Sequence, residues 1–157
     1  IILNDDSTQV LLVQRRDIPM WVLPGGGIEP EETPEEAIIR EVKEETGYLI
    51  RIIRKSAEYS PINSLSALTY TFIGKISSGI FSLSDETQAV RFFSLSLLPQ
   101  GFFHIHLHWL REALQHSDCI HRKLTEISYA ACMFYSIQHP WKFIRYAWIR
   151  FIKKQFS

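Results

Sequence analysis

The stretch PGGGIEPEETPEEAIIREVKEETGY, residues 24–48, decides how the chain is read. Its second half predicts a helix over residues 33–47. Thr33 is placed as the N-cap, Pro34 takes the first helical position, and Glu36 completes a capping box. Gly47 supplies the C-terminal stop. At about 100° per residue, with Glu41 at the origin, Glu45 falls at about 40° and Glu44 at about −60°. Three carboxylates therefore share one face. Ile38, Ile39 and Val42 fill the adjoining sector, while Lys43 and Glu36 turn to solvent. Like charges at i and i+4 cost a helix roughly 0.2–0.5 kcal/mol per pair. Acid near the C-terminal end also opposes the helix dipole. A helix selected for stability alone would not carry these residues there. A hard divalent cation such as Mg²⁺, which takes oxygen ligands, resolves the conflict. A solvated acidic face is the alternative, and the three glutamates by themselves do not decide between the two.

Working outward, residues 21–23 form a short strand stopped by Pro24 and three glycines. Residues 1–4 and 9–15 are apolar runs parted by Asp5-Asp6-Ser7, which predicts a hairpin. Residues 49–56, 68–76 and 89–95 alternate or carry β-branched and aromatic side chains, and are expected as strands. Residues 102–116 read as a helix with Ile105, Trp109, Leu110 and Ala113 on one face. Residues 120–138 and 141–156 read as two further helices parted by Pro140. No repeat or linker intervenes, so the 157 residues are expected as one α+β domain with a helical C-terminal end.

Composition is that of an ordinary globule, 46% hydrophobic and 22% charged. Net charge is zero, yet residues 127–157 contain five Lys or Arg and no acid. Cys119 and Cys132 are too few for a disulfide framework, which favours a reducing compartment, and a cytoplasmic location is expected. No run of about 18 apolar residues predicts a spanning helix. The chain opens at Ile1 already inside a strand pattern, which predicts residues ahead of it.

Spacing settles the acidic helix. Gly26 is followed after five residues by Glu32, and after seven more by Arg40-Glu41-Val42-Lys43-Glu44-Glu45-Thr46-Gly47-Tyr48. Seven fixed residue types, at about 7% usage each, meet by chance in one register with a probability of about 10⁻⁸. The pattern resembles the Nudix box of the Nudix (MutT-like) hydrolase superfamily. One position departs: the family pattern ends on Ile, Leu or Val, and this chain has Tyr48, at a site that packs. A looser likeness extends to residues 10–15 and 85–99.

That resemblance implies an α/β/α sandwich with a mixed sheet, with a Nudix core over residues 1–100 and a helical segment over 101–157 packed on the same domain. It implies hydrolysis of a nucleoside diphosphate linked to another moiety, by attack of water on phosphorus, with Mg²⁺ or Mn²⁺. Under it, Glu41, Glu44 and Glu45 are metal ligands, and Gly25 or Gly26 lends a backbone carbonyl. Arg40 and Glu32 orient those carboxylates. Glu86, on a loop ahead of the aromatic run at Phe92-Phe93, is the candidate for a further metal ligand or general base, with a plain turn carboxylate as the alternative. Glu44, Glu45 and Glu86 are thus the candidate catalytic groups. The physical logic stands beside the resemblance. A diphosphate repels an attacking water, metal ions neutralise its oxygens, and an acidic helix would repel the substrate without them. A Nudix-fold nucleotide-binding or regulatory protein without catalysis is the alternative, although all box glutamates are present. An isopentenyl-diphosphate isomerase-like chemistry would need a cysteine at a strand end.

The substrate is not specified. A small nucleotide-type molecule is expected rather than nucleic acid. Trp21, Tyr59, Tyr70 and Phe72 are the aromatic residues considered for base stacking, with packing the commoner role for Trp21. His104, His106 and His108 would share a face on a strand and could bind zinc, but on a helix they do not converge. Over residues 139–157, Trp141, Ile144, Trp148, Phe151 and Ile152 line one side of a basic amphipathic helix. Docking on the domain is the expected use, with contact to a membrane surface as the alternative, and pairing with a second subunit is left open.

Overall fold

The structure is a computed structural model that describes residues 1–127. Strands β1 (Ile2–Leu3) and β2 (Gln9–Arg15) form an antiparallel hairpin. Its turn is held locally: the Thr8 amide donates to Asn4 Oδ1 at 2.9 Å and to Asp6 Oδ1 at 3.0 Å. β2 also pairs with β3 (Trp21–Val22) and, along its other edge, with β6 (Thr87–Ser94), both antiparallel. β1 runs parallel to β5 (Thr69–Gly79), which pairs antiparallel with the long β4 (Tyr48–Pro61). The result is a seven-stranded mixed sheet.

Alternation along the strands gives the sheet two apolar faces. Ile2 and Leu11 point to one side, where Ile38, Ile39 and Val42 of helix α1 (Pro34–Thr46) cover them together with Ile50. Ile1, Leu3, Val10 and Leu12 point to the other, where Leu110 and Ala113 of helix α2 (His104–Gln115) complete the core. Each such aliphatic side chain, fully buried, contributes about 1.5–3 kcal/mol. Helices on both faces of a mixed sheet make the expected α/β/α sandwich.

Helix α1 begins and ends as its sequence requires. The Thr33 hydroxyl accepts the Glu36 amide at 3.2 Å, and Glu36 Oε2 accepts the Thr33 amide at 2.9 Å. Gly47 closes it in the left-handed region, φ 77°, donating its amide to the Lys43 carbonyl at 2.8 Å. Tyr48 packs against the α1 side of the core.

The helix expected from residue 120 is not formed where it is described. Ile120–Leu124 is strand β7, parallel to β4, with Ala57 opposite Ile120 and Pro61 opposite Leu124. The physical reason is a period of two: Leu124 is buried, while His121 and Lys123 face solvent. The otherwise open edge of β4 supplies backbone partners, and Arg122 is locked between Glu112 and Glu126 by contacts of 2.6–3.1 Å. Residues 128–138, and the helix expected over 141–156, lie outside the described residues. Among the described residues no helix is long and apolar enough to cross a membrane.

Candidate active site

The segment between β3 and α1 meets the carboxylate face of the helix. Gly25 adopts φ 145°, a value L side chains rarely take. Its amide donates to Glu45 Oε2 at 3.0 Å. Gly26 lies so close to the Glu41 carboxylate that a Cβ there would collide with it. Backbone at residues 25 and 26 thus rests on two of the three box carboxylates.

Arg40 ties the arrangement together. Its guanidinium takes Glu32 through two bonds, Nε to Oε1 at 2.8 Å and Nη2 to Oε2 at 3.0 Å. Nη1 donates to Glu41 Oε1 at 3.0 Å and to Glu44 Oε2 at 3.3 Å, and Nη2 donates to the Gly27 carbonyl at 2.9 Å. The hydrogen bonds to Glu32 and then to Glu41 raise its pKa, so it stays a cation throughout. A planar fork suits this task and a lysine would not. Glu44 is drawn outward: its side chain is 59% exposed.

Glu45 is the buried member. Burial above all pushes its carboxyl up to about 7; the Gly25 amide and the Arg15 charge pull it down, and the charges of Glu41 and Glu86 push it further up. Glu86 sits at the exposed turn before β6, where its carbonyl accepts the Arg16 amide at 2.9 Å. The structure thus brings Glu41, Glu45 and the Gly25–Gly26 backbone together, with Glu86 in electrostatic reach and Glu44 at the rim. Among the described residues, no three Asp, Glu, His or Cys side chains already form a closed ligand set. The donors are nonetheless all oxygen, and a desolvated carboxylate facing like charges is the conflict that a hard divalent cation relieves. The residues present fit such an ion.

Beside these carboxylates opens a cavity of about 820 Å³, within the range of small-molecule sites. It is lined by the glycine loop and Arg15, by Tyr70 and Phe72 of β5, and by His106 and Trp109 of α2. Arg15 is the residue that sequence reasoning missed. It ends β2 at a register shift against β6, and pairs with Asp17 through bonds of 2.9 and 2.7 Å. The signal that could have found it is one arginine closing an apolar strand just before the glycine loop.

Two of the aromatic candidates are committed elsewhere. Tyr59 is fully buried, stacks on Trp109, and donates its hydroxyl to Glu112 Oε2 at 2.6 Å. Trp21 packs edge-on against Phe93. The three histidines of α2 diverge, as expected for a helix. His106 turns inward, and His108 Nε2 approaches Glu126 at 3.0 Å.

The NUDIX domain family model matches residues 1–113. A protein of Bacillus subtilis (strain 168), provisionally named an 8-oxo-dGTP diphosphatase, is 37% identical over 100 residues, 63% of this chain and 66% of its own length. An ADP-ribose pyrophosphatase of Methanocaldococcus jannaschii is 31% identical over 107 residues, 63% of this chain and 62% of its own. The chain therefore spans less than two thirds of either curated relative. The crystal structure of an ADP-ribose pyrophosphatase from Streptococcus suis superposes with a TM-score of 0.60 at 27% identity, covering 76% of this chain and 92% of that one.

Proposed function

The chain belongs to the Nudix family, and from that premise we propose that it hydrolyses a nucleoside diphosphate linked to another moiety, using a divalent metal. The observation that carries this reading is the meeting of the Glu41 and Glu45 carboxylates with the Gly25–Gly26 backbone, which also lines the 820 Å³ cavity. Glu41, Glu44 and Glu45 would hold Mg²⁺ or Mn²⁺, with a carbonyl of Gly25 or Gly26, and Glu86 would serve as a further ligand or as the general base. A divalent ion held there would neutralise diphosphate oxygens and acidify a water.

The chain's own residues do the rest. Arg15, cationic at the glycine-loop end of the cavity, attracts the diphosphate. Arg40 fixes Glu41 and Glu44 against the loop and holds Glu32 behind them. Attack of water forms one P–O bond and breaks the anhydride P–O bond. The proton of the water would pass to a carboxylate; Glu86, exposed and felt electrostatically by Glu45, is the candidate to take it and release it. The leaving phosphate departs as an anion, without a general acid.

The test is a panel of ADP-ribose, NADH, dinucleoside polyphosphates, nucleoside triphosphates and nucleotide sugars, incubated with Mg²⁺ or Mn²⁺ and read by product analysis. Hydrolysis of at least one, abolished by chelation, is expected. Binding without turnover across the panel would replace this reading by that of a nucleotide-binding protein.

A further inference from the structure

His106 is held in one tautomer by a backbone hydrogen bond from the far side of the chain. The Leu23 amide, 83 residues away, donates to its Nδ1 at 3.0 Å. A backbone N–H has no lone pair to offer, so Nδ1 is the acceptor and carries no proton. The neutral ring then bears its proton on Nε2. Burial, which lowers the pKa of His106 to about 4, keeps the ring neutral at physiological pH. Trp109 supports the ring from one face, with centroids 4.8 Å apart and planes at 21°, and Phe103 meets it edge-on. Both His106 and Trp109 line the cavity, as do Tyr70 and Phe72.

Nε2 has no hydrogen-bond partner among the described residues. Other hydroxyls on the cavity wall are taken: Thr71 bonds Ser56 at 2.9 Å, and Thr69 donates to the Ala67 carbonyl at 3.0 Å. The Tyr70 hydroxyl can give or accept a hydrogen bond and so does not discriminate. His106 can only give one; Trp109 Nε1–H, also a donor only, is buried. We propose that the His106 Nε2–H is a specificity-determining donor in the nucleotide cavity, selecting a base whose exocyclic group is a carbonyl oxygen, as in guanine or uracil, over the amino group of adenine. Two donors facing each other would leave both unpaired, and unpaired polar groups are what make hydrogen-bonding pockets selective. The inference rests on the cavity being the nucleotide site of the proposed hydrolase.

Two substitutions separate the two nitrogens of the ring. In His106→Asn the side-chain oxygen stands where Nδ1 was and can keep the Leu23 amide, but nothing reaches the Nε2 position. In His106→Gln the amide NH₂ reaches the Nε2 position and the bond to Leu23 is given up. Equilibrium binding of GDP, UDP and ADP to the full chain is the measurement, with thermal melting alongside. Wild type should bind GDP and UDP roughly 3- to 10-fold more tightly than ADP, the worth of one net hydrogen bond. His106→Asn should lose that preference without a lower melting temperature. His106→Gln should keep the preference and melt lower. Equal affinities in wild type, or a preference that survives in His106→Asn, overturn the proposal. So does a preference lost in His106→Gln. Metal-dependent hydrolysis combined with equal affinities would remove this inference and leave the proposed reaction standing. The preference without any hydrolysis would do the reverse.

Discussion

The three consecutive glycines offer a test in which one change, glycine to alanine, should have three different outcomes. At Gly27 nothing lies within 4 Å of the place a Cβ would take. Alanine there should be neutral for activity and raise stability by about 0.4–1 kcal/mol, by restricting the unfolded chain. At Gly25 the backbone stands at φ 145°, and the new Cβ would meet Ile38 Cδ1 at 3.3 Å. A sparsely populated conformation costs about 1–3 kcal/mol. At roughly 2–4 °C per kcal/mol for a chain of this size, the melting temperature should fall by several degrees. Gly26 is the decisive position. A Cβ there collides with all three atoms of the Glu41 carboxylate. That group ends a flexible side chain, so the fold can accommodate the methyl by turning it aside. Turning it aside breaks its bond to Arg40 Nη1, 3.0 Å in the native protein, and removes it from the glycine loop. A displacement of about 1 Å at a reacting site costs about 10²-fold in rate, equivalent to about 2.7 kcal/mol of transition-state stabilisation. Gly26→Ala should therefore lose about two orders of magnitude in kcat/KM for the best substrate of the panel, with little change in melting temperature. The assay is steady-state hydrolysis in saturating Mg²⁺ beside a melting curve for each variant. A Gly26→Ala enzyme as active as Gly27→Ala would refute the placement of Glu41 in the metal site.

Glu45→Gln should lower kcat by about 10²-fold or more while the metal-free protein melts no lower, because the amide oxygen still accepts from Gly25 and a buried charge is gone; a lower melting temperature would count against this account. Glu86→Gln should reduce kcat and leave melting untouched, and an unchanged kcat would return it to the role of a turn residue. His106 predicts an acid limit. Its folded pKa, about 4, lies below the ordinary value of 6.5, so the unfolded chain takes up the proton first. The contribution of neutral His106 is present above pH 6.5 and is lost as pH falls towards 4. Discounted for the ring's partial exposure, it amounts to no more than about 2 kcal/mol. Denaturant titrations at several pH values should show a shallower decline in His106→Asn than in wild type, and identical slopes would contradict the burial argument.

What the sequence makes legible is what is encoded locally. The bounds of α1 follow from Thr33, Pro34, Glu36 and Gly47, each acting within a few residues of itself. The hairpin of β1 and β2 follows from two apolar runs and a polar turn. Strand β7 escapes a sequence reading because five residues do not fix a period. Ile120, Arg122 and Leu124 alternate, yet the apolar stretch that follows suits a helix equally well. What decides is the edge of β4 and the clamp of Glu112 and Glu126 on Arg122, and neither is visible from residues 120–124. The cavity walls are hidden for a similar reason. Which aromatic residues of β4 and β5 face the ligand depends on register shifts at three places between those strands. Beyond the last shift Tyr59 pairs with Thr69 and Tyr70 with Glu58, which leaves Tyr59 in the core and Tyr70 lining the cavity.

The residues before α1 connect the two halves of the site through their backbone. The Leu23 amide fixes His106, on the side of the cavity where the base would lie. The Gly25 amide fixes Glu45, on the side of the carboxylates. The Gly27 carbonyl receives Arg40, which in turn holds Glu32, Glu41 and Glu44. The chain bends at Pro24 and Gly25 stands at φ 145°, and through this course the backbone of residues 23, 25 and 27 meets three different partners. Each such net hydrogen bond contributes only about 0.5–1.5 kcal/mol. Their joint effect is geometric: one short stretch of backbone contacts both the His106 ring and Glu45. A nucleotide whose base reaches His106 would therefore have its diphosphate placed at Glu41 and Glu45 by the same short stretch of chain.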